Sequence, residues 1–191
     1  MKIAGILLAA GAAKRFGSDK LLHPLADGTP IALASARKLA EALPGSVAVV
    51  RSTDTPLAML LRGAGLEVVG CAEASQGMGH SLGAGVRARP DADGWVVALA
   101  DMPYVRIETI REIAARLVAG AQIVAPMKDG QRGNPVGFSN AFRNELQSCV
   151  GDAGARALLK DQQHRITTLE VDDPGVLRDI DTPADLDVGQ G

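Results

Sequence analysis

The sequence predicts an α/β fold in which a mostly parallel sheet is covered by helices on both faces and includes an antiparallel strand in its second half. Short apolar runs alternate with segments of helical period along the chain, which is typical of strands buried between two helix layers. Thr-Pro pairs at 29–30 and 55–56 combine an N-cap residue with proline at the first helical position. Residues 135–138 follow the strand at 122–126 too closely for a helical crossover, so we expect that strand to be antiparallel.

The remaining elements follow in chain order from the same signals. The most apolar of the later strands is GWVVALA at 94–100, and Asp129-Gly130 marks a turn. The predicted strands cover residues 3–9, 46–51, 66–69, 94–100, 122–126, 135–138, 166–171 and 176–179. The predicted helices cover residues 30–43, 56–63, 107–119, 140–147 and 153–161.

Length and composition predict one globular domain over residues 1–191. With 191 residues, 47% of them apolar and 22% charged, the chain is long enough to bury a core. The 20 Lys and Arg residues against 22 Asp and Glu give a net charge of −2, so the chain lacks the basicity that binds a nucleic-acid backbone. An anionic ligand must therefore meet local cations, backbone N–H groups or a metal ion.

Segments that would direct the chain to a membrane or an export pathway are not predicted. The apolar N-terminus runs directly into Lys14 and Arg15, unlike a signal peptide. No stretch approaches the roughly 18 uninterrupted apolar residues of a membrane span. Cys71 and Cys149 lie far apart and outside any C-x-x-C spacing, which favours two reduced thiols over a disulfide or a metal pair. We therefore expect a cytoplasmic protein with neither a membrane nor a nucleic acid as partner.

The segment after the first strand, LAAGAAKRFGSDK at 8–20, has the composition of a phosphate-binding loop. Ligands of open parallel sheets lie outside the carboxyl ends of the strands. Small residues at 9–13 let backbone N–H groups approach phosphate oxygens, and Arg15 and Lys20 supply cations at the edge of the loop. Because the glycine spacing matches neither G-x-G-x-x-G nor G-x-x-x-x-G-K-[ST], a dinucleotide site and a P-loop are both disfavoured. The alternative is a plain turn with solvated basic residues.

Asp101 comes directly after the strand GWVVALA, at the same edge of the sheet as the glycine loop. A carboxylate there is a suitable ligand for Mg²⁺, which proteins hold through one or two carboxylates plus substrate phosphates. The alternative is that Asp101 only caps the turn before Met102-Pro103. The adjacent basic loop favours the metal interpretation, because triphosphate chemistry needs both parts.

Six motifs make the chain resemble the molybdenum cofactor cytidylyltransferase family over nearly its whole length. In order they are LAAGAAKRFGSDKLL, QGMGHSLGAGV, VALADMP, RGNPVGF, GDAGARALL and DIDTPADL. That family lies within a wider group of nucleotidyltransferases that includes molybdenum cofactor guanylyltransferase and the cytidylyltransferase of the methylerythritol pathway. The pattern LAAG-x-x-x-RFG-x-x-K with a later DMP is typical of the wider group. The motifs RGNP, GDAGAR and DIDTPADL narrow the resemblance to the molybdenum cofactor branch. It implies a Rossmann-like three-layer nucleotidyltransferase fold, with 1–104 mainly binding the NTP and 105–191 mainly binding the acceptor.

The resemblance also implies a role for individual residues at the nucleotide. Those expected to contact the nucleotide are Leu8, Ala9, Ala10, Gly11, Lys20, Gly79, His80, Ser81 and Leu82. The catalytic set is Arg15, Lys20 and Asp101, with the two cations on the triphosphate. His80 could act as a base, although a place in the nucleoside pocket or at a helix start is favoured.

Metal and acceptor sites are implied in the same way. Asp101 with Asp181 would bind Mg²⁺, for which Mn²⁺ can substitute, and Asp179 is the alternative to Asp181. The residues expected to face the acceptor are Arg132, Asn134, Asp152 and Arg156. Asn134 stands where many relatives are expected to have histidine.

The implied activity is transfer of CMP from CTP to the terminal phosphate of molybdopterin, with release of pyrophosphate. A molybdoenzyme or its chaperone is then a possible protein partner. Ala10 favours the cytidylyl branch, which carries LAAG where the guanylyl branch carries LAGG. Three alternatives stay open: GTP as donor, another phosphorylated acceptor such as a polyol or sugar phosphate, and a non-catalytic chaperone that binds nucleotide or cofactor.

Overall fold

A mixed sheet of eight strands forms the centre of the protein, and the predicted α/β fold is confirmed. The computed structural model describes residues 1–11, 20–151 and 154–189. The strands are β1 (Ile3–Leu8), β2 (Val47–Val50), β3 (Glu67–Gly70), β4 (Gly94–Leu99), β5 (Ile123–Lys128), β6 (Gln131–Arg132), β7 (Val136–Ser139) and β8 (Ile166–Glu170). The α-helices are α1 (Ile31–Ala42), α2 (Pro56–Gly63), α3 (Met78–Arg87), α4 (Ile107–Val118), α5 (Arg143–Gln147) and α6 (Arg156–Asp161). Short 3-10 helices cover Lys20–Leu22, Ala72–Gln76, Asn140–Phe142, Gln163–Arg165, Pro174–Leu177 and Pro183–Gly189.

Strand β1 lies between two parallel neighbours in the sheet. The strand order is β3-β2-β1-β4-β7-β5-β6, and β8 pairs with β5. β1 and β4 are paired in register from Ile3 opposite Gly94 to Leu8 opposite Leu99. Their carboxyl ends are therefore level, and the segments that follow them leave the sheet side by side. This pairing places Asp101 next to the chain that continues from Leu8, as predicted.

The predicted antiparallel strand is confirmed as β7. It lies between β4 and β5 and runs antiparallel to both, with Phe138 opposite Trp95 and Ile123. The hairpin between β5 and β6 turns through Asp129 and Gly130, whose φ angles are 51° and 74°. Two left-handed residues in a two-residue turn match the right-handed twist of the flanking strands. The turn signal was visible in the sequence, whereas the two-residue strand β6 was not predicted.

Alternate residues of the strands face two separate hydrophobic layers. Leu7 and Val96 pack on one face with helices α1, α2 and α4. Ile6 and Val97 pack on the other face with α3, α5 and α6, where Trp95 is fully buried. The period-two alternation of a strand thus serves two cores at once, which explains why the strands show continuous apolar runs.

Cys71 is buried and Cys149 is half-buried, and both are free thiols. None of the helices among the described residues is both long and apolar enough to cross a bilayer.

Three local predictions are wrong. Residues 176–179 do not form a strand, because the side chain of Asp173 accepts a hydrogen bond from the Gly175 N–H at 2.9 Å and caps a 3-10 helix there. Helix α6 begins at Arg156 instead of 153. The N-cap of α1 is Pro30 and no side chain caps it, so Thr29 is not the cap that the Thr-Pro signal predicted.

Helix α3 was not predicted because three of its ten residues are glycine, each about 1 kcal/mol less favourable than alanine in a helix. Packing requires all three of these glycines, since a Cβ at Gly83 would lie 2.9 Å from the backbone oxygen of Gln147. A Cβ at Gly85 would lie 2.5 Å from Cγ2 of Ile6, and one at Gly79 would lie 2.7 Å from the backbone nitrogen of Val150. The helix therefore approaches β1 and the end of α5 more closely than side chains would allow.

We predict that Gly85→Ala lowers the free energy of unfolding by about 1–3 kcal/mol, because the added methyl overlaps a β-branched core residue. Gly63→Ala in α2 is the matched control, since a Cβ at Gly63 meets nothing within 4 Å. The control should match or slightly exceed wild-type stability. Urea unfolding of the three proteins measures both effects, and a Gly85→Ala variant as stable as wild type would contradict the packing described for α3.

Candidate functional site

One buried lysine joins two carboxylates at the carboxyl edge of the sheet. The Nζ of Lys20 lies 2.9 Å from Oδ2 of Asp101 and 3.1 Å from Oδ1 of Asp181. The lysine is 81 residues from one partner and 161 from the other. Two of the residues predicted as catalytic, Lys20 and Asp101, are thus in direct contact, together with the predicted second metal ligand.

The electrostatics of this cluster keep Lys20 charged. Only 10% of its side chain is exposed, against 26% for Asp101 and 49% for Asp181. Burial acts to lower the pKa of Lys20, but the hydrogen bond and charge of Asp101, and then those of Asp181, raise it above its ordinary value. The ammonium is therefore protonated throughout the physiological range.

Backbone hydrogen bonds fix the two carboxylate segments relative to each other. The Ala100 N–H donates to the Leu8 oxygen at 3.1 Å, continuing the pairing of β1 with β4. The Ile180 N–H donates to the Asp101 oxygen at 2.9 Å and so ties the C-terminal segment to the end of β4. Asp101 and the residue preceding Asp181 are in direct backbone contact.

The turn that begins with Asp181 is closed by Asp185. Oδ2 of Asp185 accepts hydrogen bonds from the N–H groups of Asp181 at 2.9 Å and Thr182 at 2.6 Å, and from the Thr182 hydroxyl at 3.0 Å. The hydrogen bonds from Thr182 and Asp181 lower the pKa of Asp185 below its ordinary value. The carboxylate is therefore charged at neutral pH and holds the turn.

The last residue of β1 and the three small residues that follow it are not equivalent. Leu8 lines a cavity, whereas the Ala9 N–H donates to the Val49 oxygen within the sheet at 2.9 Å. The Ala10 oxygen accepts a hydrogen bond from the Arg51 guanidinium at 3.3 Å. Ala9 and Ala10 are buried and Gly11 is exposed. The Ala9 N–H is therefore unavailable to phosphate oxygens. A phosphate-binding loop at this position cannot use every amide of the stretch.

A cavity of about 100 Å³ adjoins the end of β1 on the α3 and α6 face of the sheet. Its lining is mainly aliphatic and aromatic, and two polar side chains, Asn134 and Arg156, reach it. The lining residues are Leu8, Met78, Leu82, Val97, Leu99, Asn134, Val136, Phe138, Ala155, Arg156 and Leu159. The structure thus brings two of the predicted acceptor residues to one cavity, together with Leu8 and Leu82 from the predicted nucleotide set.

Other predicted residues lie elsewhere. Gly79 and Ser81 are buried in α3 and His80 is half-buried there, while Arg132 is exposed in β6. None of these four lines the cavity. Arg15 and Asp152, predicted as a triphosphate cation and an acceptor ligand, lie outside the described residues.

The donor set at Lys20 suits a divalent cation that is shared with a substrate. Two carboxylate oxygens lie within 3.1 Å of one positively charged nitrogen, so both face the same cation position. Within 1–11, 20–151 and 154–189, no three or more His, Cys, Asp and Glu side chains gather as a complete metal site. Mg²⁺ fits this arrangement, since it is commonly held by one or two carboxylates and completes its coordination with phosphate oxygens and water.

Three buried or half-buried polar side chains that bind the segment between β4 and α4 were missed from the sequence. Asp173, 1% exposed, accepts hydrogen bonds from the Arg106 N–H at 2.8 Å and the Thr109 hydroxyl at 2.7 Å. Ser35 and Lys38 of α1 bind carbonyls on either side of Asp101. Lys38 lies seven residues after the buried Ile31, on the apolar face of the helix. A lysine at a position expected to be apolar was the signal in the sequence that could have identified it.

Comparisons with known proteins show which proteins this chain is similar to. A family profile described as a MobA-like NTP transferase domain matches residues 5–166. The purine catabolism protein PucB of Bacillus subtilis is 32% identical over 205 residues, which cover 97% of this chain and 95% of PucB. The probable molybdenum cofactor guanylyltransferase of the same organism is 32% identical over 132 residues, which cover 69% of this chain and 63% of that protein.

Two solved structures share the fold of this chain along nearly its whole length. The crystal structure of Rv0371c from Mycobacterium tuberculosis H37Rv has a TM-score of 0.80 and 29% identity, and the match covers 98% of this chain and 96% of that one. The complex of Rv0371c with manganese has a TM-score of 0.78 and 28% identity, with 98% and 97% of the two chains covered.

Proposed function

The chain belongs to the MobA-like NTP transferase family and is a nucleotidyltransferase, and from that premise we propose that it transfers CMP from CTP to the terminal phosphate of molybdopterin. Pyrophosphate is the second product, and Mg²⁺, with Mn²⁺ as a substitute, is the metal. The observation that carries the proposal is the contact of Lys20 with Asp101 and Asp181 at the edge of the sheet where β1 ends. The manganese complex of Rv0371c supports a divalent cation in the reaction.

The charges of this cluster suit a triphosphate and its metal. Lys20 contributes a protonated ammonium that can neutralise phosphate oxygens, and Asp101 and Asp181 are the carboxylates that would hold the cation. When bound, Mg²⁺ supplies charge neutralisation and orientation for the phosphates. The assignment of Arg15 to the triphosphate stays a prediction from the sequence.

Nucleotidyl transfer needs little more than positioning and charge neutralisation from the protein. An oxygen of the acceptor phosphate forms a bond to the α-phosphorus, and the bond from that phosphorus to the bridging oxygen of the leaving pyrophosphate breaks. A phosphate monoester has its second pKa near 6, so the attacking group is already ionised and requires no strong base. Lys20, held between two carboxylates, can stabilise charge that develops on the transferring phosphoryl group.

The base of the nucleotide is the less constrained part of the proposal. Ala10 in the LAAG motif supports cytosine, and a guanylyltransferase among the relatives keeps GTP as the second candidate. A mismatch in hydrogen bonding within a buried pocket costs about 1–3 kcal/mol per group, which is enough for a measurable preference.

We predict that kcat/KM with CTP as donor is at least about tenfold higher than with any of the other three NTPs. One lost hydrogen bond of about 1.4 kcal/mol produces a tenfold change. The measurement is pyrophosphate release from each NTP with Mg²⁺ and molybdopterin. GTP used as well as CTP would assign the chain to the guanylyl branch. Release from none of the four NTPs would contradict transfer to this acceptor, and the same assay with polyol and sugar phosphates then tests the alternative acceptors.

The acceptor is proposed to enter the cavity that contains Asn134 and Arg156. A flat ring edged with donors and acceptors can rest against the apolar lining while the amide and guanidinium bind its polar groups. A polyol would instead bring many hydroxyls against aliphatic side chains, where hydrogen bonds are lost. The chemistry of the lining therefore favours a heterocyclic acceptor over a sugar or polyol phosphate.

We predict that Asn134→Ala and Arg156→Ala each raise the KM for the acceptor by about tenfold, because each removes one hydrogen-bonding group worth about 1–3 kcal/mol. The affinity for CTP should stay at the wild-type value. Lys160→Ala is the matched control, since Lys160 is exposed on the same helix α6 and does not line the cavity. If CTP binding falls in parallel with acceptor use, or if transfer is unchanged in both variants, the acceptor does not bind in this cavity.

A further inference from the structure

Helix α1 places a half-buried lysine beneath the loop that carries Asp101. The Nζ of Lys38 donates to the Pro103 oxygen at 2.6 Å. Burial lowers the pKa of Lys38 below its ordinary value, and the charges of Asp173 and Glu108 partly offset that effect. Removing an ammonium from water is costly unless it is hydrogen-bonded. A methionine would fill the same space without this cost, so the charge points to a role beyond packing.

A second side chain of α1 acts on the same loop. The hydroxyl of Ser35, which is 7% exposed, donates to the Ala100 oxygen at 3.0 Å. Residues three apart share one face of a helix. One face of α1 therefore binds the carbonyls on both sides of the Asp101-Met102 dipeptide.

The carbonyl of Asp101, in the same loop, is also hydrogen-bonded from outside the loop. The Asp101 oxygen accepts the Ile180 N–H at 2.9 Å. Three carbonyls of the loop after β4 thus accept hydrogen bonds from outside the loop, two from α1 and one from the segment that leads into Asp181. This attachment leaves the backbone under the Asp101 carboxylate little freedom to move.

We propose that Lys38 and Ser35 are positioning residues that set the place of the Asp101 carboxylate, and with it the affinity of the site for the metal–nucleotide pair. The inference rests on the proposed function only for which metal and which nucleotide bind at the site. The Nζ of Lys38 donates to the Pro103 oxygen and to neither carboxylate of the cluster. Its effect therefore passes through the loop. Residues that orient metal ligands in this way typically change metal affinity or activity by about 10- to 100-fold when they are replaced.

The test compares Lys38→Met with wild type in Mn²⁺ binding, measured by electron paramagnetic resonance in the presence of CTP, and in the Mn²⁺ dependence of pyrophosphate release. Lys38→Met should weaken Mn²⁺ binding and raise the half-saturating Mn²⁺ concentration by about tenfold or more. The KM for the acceptor should not change. Ser35→Ala should act in the same direction, and Lys38→Arg, which keeps a charged donor, should restore part of the loss.

Gly94→Ala serves as the control for stability, because its Cβ would lie 2.8 Å from the Phe138 oxygen at the amino end of β4, away from the Asp101 edge of the sheet. The proposal is overturned if Lys38→Met binds Mn²⁺ as wild type does, or if Gly94→Ala shifts the Mn²⁺ dependence as much as Lys38→Met. If wild type releases no pyrophosphate with any acceptor, the proposed function fails. Mn²⁺ binding still decides the role of Lys38 in that case, since it requires no turnover.

Discussion

The contact of one lysine with two aspartates brings three distant parts of the chain together. Lys20 follows the first strand, Asp101 follows the fourth, and Asp181 lies in the C-terminal segment. Two carboxylates that face the same space repel each other unless a cation lies between them. The ammonium of Lys20 supplies that cation, and its own burial is tolerable only because both partners are charged. The arrangement of the sheet edge depends on this balance.

The register of β1 and β4 brings these groups to one edge of the sheet. Parallel pairing of β1 with β4 makes their carboxyl ends level, so residues 9–11 and Asp101 share one edge. The antiparallel strand β7 places Phe138 and Val136 on the face of the sheet that α3 and α6 cover. Residues of these two helices complete the lining of the apolar cavity there. Charged groups are thus concentrated at the edge and apolar groups beside it. The proposed transfer to a ring-shaped acceptor would use both environments.

Much of the architecture was predictable because strands buried on both faces appear as continuous apolar runs. The place of Asp101 followed from the same rule, since it comes at the end of such a run. Helix α3 was missed because Gly79, Gly83 and Gly85 weaken its propensity, while its packing against β1 needs that lack of side chains. Residues 176–179 were assigned to a strand because their apolar character does not reveal the Asp173 cap.

The contacts within the site were not predictable in the same way. The sequence assigned Lys20 to a triphosphate and Asp101 to a metal, but a pairing across 81 residues leaves no local signal. The resemblance of DIDTPADL to a known motif singled out both Asp179 and Asp181, and the geometry brings Asp181 to the lysine. Ser35 and Lys38 were missed because their partners are backbone carbonyls, which every residue possesses.

Metal and triphosphate are proposed to meet at the cluster of Lys20, Asp101 and Asp181. The most direct measurement is a titration of Mn²⁺ in the presence of CTP, followed by electron paramagnetic resonance, for Asp101→Asn, Asp181→Asn and Asp179→Asn. Loss of a ligand should weaken binding by about tenfold or more in the first two variants, whereas the exposed Asp179 should be replaceable without effect. Wild-type Mn²⁺ binding by both Asp101→Asn and Asp181→Asn would contradict the account.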